Sequence, residues 1–209
     1  MGRERFEKDA GHFWGLLDTR PYMRARLGLA RCLELLGRDE EATNHYCEML
    51  RLNPGDNQGV RYLYLPLLLK LGRDAEAARY MKDSQDEVTA VWAYTRALLA
   101  YRLGGNCSSA QMELRKAVKT NPHVAACLLA DEEPDEVPES FSLGSHEEAE
   151  ICATELRSAF DATPGALEWL ETQTRSLRRD PESYVSTHKR YNRASRRKRR
   201  SRERKRRRR

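Results

Sequence analysis

The chain has 209 residues, 39% of them apolar and 33% charged, enough for one ordinary domain and a tail. Its net charge of +6 conceals a division: 15 of the 38 basic residues but one of the 32 acids (Glu203) lie in 189–209, which leaves 1–188 at −8 and the tail at +14. Five scattered cysteines (Cys32, Cys47, Cys107, Cys127, Cys152) without a CxxC pair argue against a disulfide framework and for a reducing compartment. With no apolar leader and no apolar run longer than Leu63 to Leu69, secretion and a membrane span are not expected.

A leading helix is predicted over 4–17, carrying Phe6, Phe13, Trp14, Leu16 and Leu17, within an opening segment 1–20. Pro21 suits the first turn of the next helix, where its missing N–H is not needed, and that helix runs to Leu36 with Leu29 and Leu33 at helical spacing. The stretch Leu36-Gly37-Arg38-Asp39-Glu40-Glu41-Ala42 returns thirty-five residues later as Leu71-Gly72-Arg73-Asp74-Ala75-Glu76-Ala77, and Leu103-Gly104-Gly105 to Ala110 repeats its outline. A period near 34 with an apolar helix, a Leu-Gly turn, an Asp or Asn cap and a second helix around a small Ala is the layout of stacked helical hairpins. Asp39 and Asp74 are expected to accept from the free N–H groups of the following helix.

Three units fill 21–122. The first, about 21–54, and the third, about 89–122, fit well; Leu29, Ala30, Leu33, Tyr46 and Pro54 match in the first, and Tyr94, Tyr101, Ala117 and Pro122 in the third. The middle unit, 57–88, is weaker, because Pro66 falls inside a helix predicted over 57–71 and should bend it. Ser84-x-x-Glu87 reads as a capping box opening the third unit. Beyond Pro122 a short helix over 123–130 leads to an acidic loop, 131–139. Ser145-His146-Glu147-Glu148 then caps a helix to Phe160, and a last helix runs from Gly165 to about Arg178. Residues 123–180 are thus an acidic loop with capping helices, and 181–209 is a basic tail predicted to be disordered.

The hairpin grammar resembles the tetratricopeptide repeat superfamily. Ala93-Tyr94-Thr95-Arg96-Ala97-Leu98-Leu99-Ala100 and Arg115-Lys116-Ala117-Val118-Lys119-Thr120-Asn121-Pro122-His123-Val124 resemble the repeat region of the suppression-of-tumorigenicity-seven family. Asn53-Pro54-Gly55-Asp56-Asn57-Gln58-Gly59 is similar to short bacterial repeat proteins. The resemblance covers about 10–170 and implies an all-α, right-handed solenoid of antiparallel helical hairpins, while saying little about activity. The basic tail lies outside it.

Common phosphate, dinucleotide, zinc-protease and hydrolase signatures are absent, so no enzyme, metal or cofactor is predicted. His123 and Cys127 share a helical face at i, i+4, but two ligands are too few for a closed zinc site, and a helix-terminal His beside a core Cys is the plainer reading. In a repeat stack the first helix of each hairpin lines the concave groove, which turns Arg24, Arg31, Arg61, Tyr62, Trp92, Arg96 and Arg102 toward that groove or its rim. There arginines would pair carboxylates of an extended peptide and aromatics would anchor it, or the same residues are ordinary solvated and inter-repeat groups.

For the tail, Lys189-Arg190 followed by Arg196-Arg197-Lys198-Arg199-Arg200 resembles a bipartite nuclear-import signal read by an import receptor. The same charge would neutralise RNA or DNA phosphates with strong salt dependence. An incidental run is the third reading, and masking of the tail by the acidic loop 131–139 is a fourth. The expected function is a non-enzymatic protein-interaction adaptor, cytoplasmic or nuclear and without membrane contact. The alternative is a non-specific nucleic-acid-binding protein whose tail carries the affinity.

Overall fold

In the computed structural model, which describes residues 2–82, 87–130, 137–138 and 140–179, every regular element is α-helical. The helices are α1 (Arg3–Asp9), α2 (Arg20–Leu35), α3 (Asp39–Leu52), α4 (Arg61–Lys70), α5 (Asp74–Lys82), α6 (Ala90–Gly104), α7 (Ser108–Thr120), α8 (Val124–Leu128), α9 (His146–Asp161) and α10 (Ala166–Arg179). The tail, and the acidic loop apart from Val137 and Pro138, lie outside the described residues.

The first two Leu-Gly turns share one hydrogen-bonding scheme. Gly37 at φ 70° and Gly72 at φ 73° adopt the left-handed conformation that other residues resist. Arg38 N donates to Leu33 O at 2.8 Å and Gly37 N to Glu34 O at 3.0 Å; Arg73 N to Leu68 O at 2.8 Å and Gly72 N to Leu69 O at 3.1 Å repeat the pattern. Both are Schellman closures, which satisfy carbonyls at a helix end and reverse the chain. The third turn differs: α6 continues through Gly104, and Gly105 takes the positive φ.

These turns pair α2 with α3, α4 with α5 and α6 with α7. Ala42, Ala77 and Ala110, the small residues of the second helices, are each fully buried, where a single methyl lets helices approach closely.

Four local expectations are corrected. The leading helix stops at Asp9 rather than running to 17, because Gly11 at φ 90° breaks it and Phe13 turns inward. Phe13 N donates to Leu52 O at 3.1 Å, and the Thr19 hydroxyl donates to Phe13 O. The helix expected from 57 starts at Arg61, because Asp56, at φ 46°, builds a turn of its own. Its carboxylate accepts from Val60 N at 2.7 Å and Arg61 N at 2.9 Å, standing in for the missing helical acceptors. Asp39 and Asp74 are the first residues of α3 and α5 rather than their caps. Finally, α6 begins at Ala90 behind Thr89, so Ser84-x-x-Glu87 does not open it; Ser84 lies outside the described residues and Glu87 is bonded elsewhere.

Pro66 is buried within α4, as the sequence placed it. Six consecutive residues of α4, Tyr64 to Leu69, are buried, which is more than one full turn. A helix buried on every side needs cover on every side. For α4 that cover comes from α3, α5, α6 and, from far along the chain, α9.

Candidate functional site

Helix α9 packs against α4, α6 and α8, and Glu155 on it reaches α2. It therefore touches the first helix of all three pairs. Two devices seat it.

At its N-terminal end, Ser145 Oγ accepts from Glu148 N at 3.2 Å, which is the forward half of the predicted capping box. The reverse half is replaced. Glu148, 2% exposed, accepts instead from Ala90 N at 2.9 Å, Asn121 Nδ2 at 3.1 Å and Gly144 N at 2.5 Å. One carboxylate thus supplies the acceptor for the first N–H of α6 while fixing α9 to the end of α7. Asn121, fully buried, also donates to Ser145 O at 2.8 Å, and the Tyr94 hydroxyl donates to Asn121 O at 3.0 Å.

Farther along α9, Arg31 of α2 donates to both Glu155 oxygens, at 3.3 and 3.2 Å, and stands 3.5 Å from Glu34. Tyr46 donates its hydroxyl to Glu34 at 2.6 Å. Next to this fork, α2, α4 and α9 enclose an open cavity of about 200 Å³. Arg31 and Glu34, Lys70, and Thr154, Glu155 and Ser158 supply its polar wall, and Pro66 and Leu67 its apolar part. The opening can take charged or hydrogen-bonding groups of either sign.

Burial lifts the Glu155 carboxyl above its ordinary value against the pull of Arg31. For Arg31 burial works against the charge, yet Glu155 and Glu34 outweigh it and hold the guanidinium protonated more firmly. A carboxyl raised in the folded state binds its proton more tightly there than in the unfolded chain. Its contribution to stability is thus present at low pH and lost as pH rises through the folded value. Glu155→Gln has no such titration, so its stability relative to the parent should rise between about pH 4 and pH 7, read from urea unfolding at each pH.

The seven residues expected along the groove do not form one surface. Arg24 is exposed and lies over the Trp14 ring at 5.9 Å. Arg31 borders the cavity. Arg61 binds Asp56 at 2.8 Å and pairs with Glu87. Tyr62 donates to Glu87 at 2.7 Å, and burial followed by that bond pushes its phenol up to about 12. Trp92 is 2% exposed and tilted against Tyr80, so it is a core residue and not the apolar anchor expected of it. Arg96 is half-buried on α6. Arg102 donates to Asp74 at 2.9 Å and Thr163 at 2.8 Å.

A ladder of polar ties between successive pairs went unread in the sequence. Lys70 meets Asp39 at 2.6 Å, and Arg102 meets Asp74 at 2.9 Å. Both bases stand one residue before their Leu-Gly turn, so the repeat alignment could have revealed the rule. At the third step Asn106 replaces the Asp and accepts from Trp169 Nε1 of α10 at 3.1 Å. Trp169 also stacks on Tyr101, with ring centroids 4.5 Å apart. Gly165, at φ 73°, precedes α10 and has no room for a Cβ, which would stand 2.9 Å from the Tyr101 hydroxyl.

His123 caps α8, and its ring lies 5.6 Å from that of His146; burial, then Glu150, raises the Cys127 thiol. Among the described residues no three metal-ligating side chains gather. No helix among them is long and apolar enough to cross a membrane. No family model, curated protein or solved structure matches the chain.

Proposed function

We propose that this chain is a non-enzymatic protein-interaction scaffold. Its three pairs would form a right-handed, tetratricopeptide-like solenoid, related to the repeats of the suppression-of-tumorigenicity-seven family. The concave face of such a stack, formed by the first helices, binds an extended peptide or a helix. The observation that carries this reading is the seating of α9 across α2, α4 and α6: the first helices form a surface shaped to hold a chain segment, and they already hold one of this protein's own. The part left open, the cavity beside Arg31 and Lys70, is where a partner's side chains would be read. The compartment that fits is cytoplasmic or nuclear.

Ser158 is exposed at the cavity and makes no side-chain hydrogen bond among the described residues, so Ser158→Trp fills the opening without breaking a tie. The test is nuclease-treated affinity capture with the full-length parent and Ser158→Trp, read by quantitative mass spectrometry. At least one protein partner held by the parent and lost by the variant supports a partner read at this opening; a partner set from which Ser158→Trp removes none contradicts that site, and capture that vanishes altogether with nuclease contradicts the scaffold.

The alternative, a nucleic-acid-binding protein, rests on the charge division, with 15 bases and one acid in 189–209. In it Lys189, Arg190 and Arg196, Arg197, Lys198, Arg199 and Arg200 neutralise phosphates. Replacing the five residues 196–200 by Ser should then shallow the slope of log affinity against log salt for single-stranded RNA by about 3. An unchanged slope would leave those residues to an import receptor or to no role.

A further inference from the structure

Helices α4 and α6 each lie against the second helix of the pair before them, α3 and α5 respectively. Among the described residues helix α2 has no such neighbour. Its main helical partner is α3, α9 reaches it through Arg31, and near its start Phe6 and Phe13 close on Tyr22, at 5.6 and 5.8 Å between ring centroids. The side of α2 turned away from the core carries Tyr22, Ala25, Leu29, Cys32 and Leu36, spaced three and four apart. Leu29 is 48% and Leu36 72% exposed, and Ala25 and Cys32 are exposed between them. A Cβ built on Gly28 would meet nothing within 4 Å. This is an apolar helix stripe of the kind that α3 and α5 cover elsewhere, left open by the described residues and made shallow by small side chains.

Its border is basic. Arg20 and Arg24 lie over the Trp14 ring and Arg26 bonds the Tyr22 hydroxyl, and among the described residues none of the three has an acid within ion-pair distance. Six other arginines, Arg31, Arg38, Arg51, Arg61, Arg73 and Arg102, meet carboxylates, whereas Arg79, Arg96, Arg115 and Arg157 lack one among the described residues but are spread over four different helices. Four arginines and one acid in α2 also disfavour a second copy on this face, since two such helices would set like charge against like.

We propose that the outer face of α2 docks an acidic amphipathic helix of a partner protein. Its apolar stripe would lie along Leu29, Cys32 and Leu36, and its flanking carboxylates would meet Arg24 and Arg26. The inference rests on the scaffold reading and adds to it a second surface and the chemistry of its partner.

The test is selection from a displayed library of helical peptides of about three heptads, with Leu at the a and d positions and Asp, Glu, Gln, Lys or Arg allowed at e and g, against the immobilised full-length chain. Enriched peptides are expected to be acidic at the flanks. Their affinity should fall at least about tenfold with Leu29→Glu or Cys32→Glu and be unaffected by Ser158→Trp. Both α2 positions are exposed, so circular dichroism melts of these variants should match the parent. Basic or uncharged flanks, or binding that ignores both α2 variants and falls with Ser158→Trp, would overturn this inference and leave the scaffold standing. Failure to enrich any peptide would overturn this inference and leave the scaffold to its own capture test. A dimer seen by sedimentation and dissolved by Leu29→Glu would also overturn it, because the occupant would then be a second copy.

Discussion

Glu148→Ala is expected to destabilise the protein by about 3 kcal/mol, lowering the melting midpoint by about 6–12 °C in a calorimetric scan. The carboxylate is 2% exposed and accepts three hydrogen bonds, from Ala90 N, Asn121 Nδ2 and Gly144 N. Alanine leaves the two backbone donors at α6 and before α9 without acceptors in a site closed to water, and each such donor costs about 1–3 kcal/mol. Asn121 keeps its bond to Ser145 O at 2.8 Å, so the loss is not the sum of three. Glu148→Gln retains one acceptor oxygen but turns an NH₂ toward another donor, and its midpoint should lie between those of the parent and Glu148→Ala.

The second large effect lies in the middle of α9. Leu156 is fully buried, so Leu156→Ala removes three carbons from a packed site and should cost about 3 kcal/mol, within the range for such truncations. Chemical denaturation measures it as a lower midpoint at unchanged slope. A loss this large would mark α9 as part of the cooperative fold, whereas a loss near zero would describe a helix resting loosely on the repeats. Against a total stability of about 5–15 kcal/mol, either substitution removes a substantial fraction.

The repeat was legible because its signals are local. Gly37 and Gly72 sit where the chain must turn with positive φ, and the alternation of Leu-Gly turns with buried alanines follows from the primary sequence. The ends of elements were less legible. Phe13 leaves the helical path to bond Leu52, thirty-nine residues away, and Asp56 overrides helical periodicity with its own carboxylate. Neither arrangement has a local signature.

The placement of α9 depends on contacts between residues more than fifty apart, such as Ala90 with Glu148 and Arg31 with Glu155. One sequence signal did point to it. The run from Leu63 to Leu69 is apolar around the whole helix, and Val91 to Ala100 is broken only by Thr95 and Arg96, which calls for more cover than an open groove provides. Arg31 and Arg102 were read as groove arginines from register alone; their acids, Glu155 and Asp74, come from neighbouring layers that register does not identify.

The seating of α9 on the first helices is tested most directly by a double-mutant cycle on Arg31 and Glu155, comparing Arg31→Glu, Glu155→Arg and the doubly reversed chain by urea unfolding. Arg31 is about half exposed, so each single reversal should cost about 1 kcal/mol. The double variant should recover much of that loss, with a coupling energy of about 1 kcal/mol. Strictly additive losses, with no coupling, would mean that α2 and α9 do not meet in solution, and the account of an inner face holding one of the chain's own helices would fail.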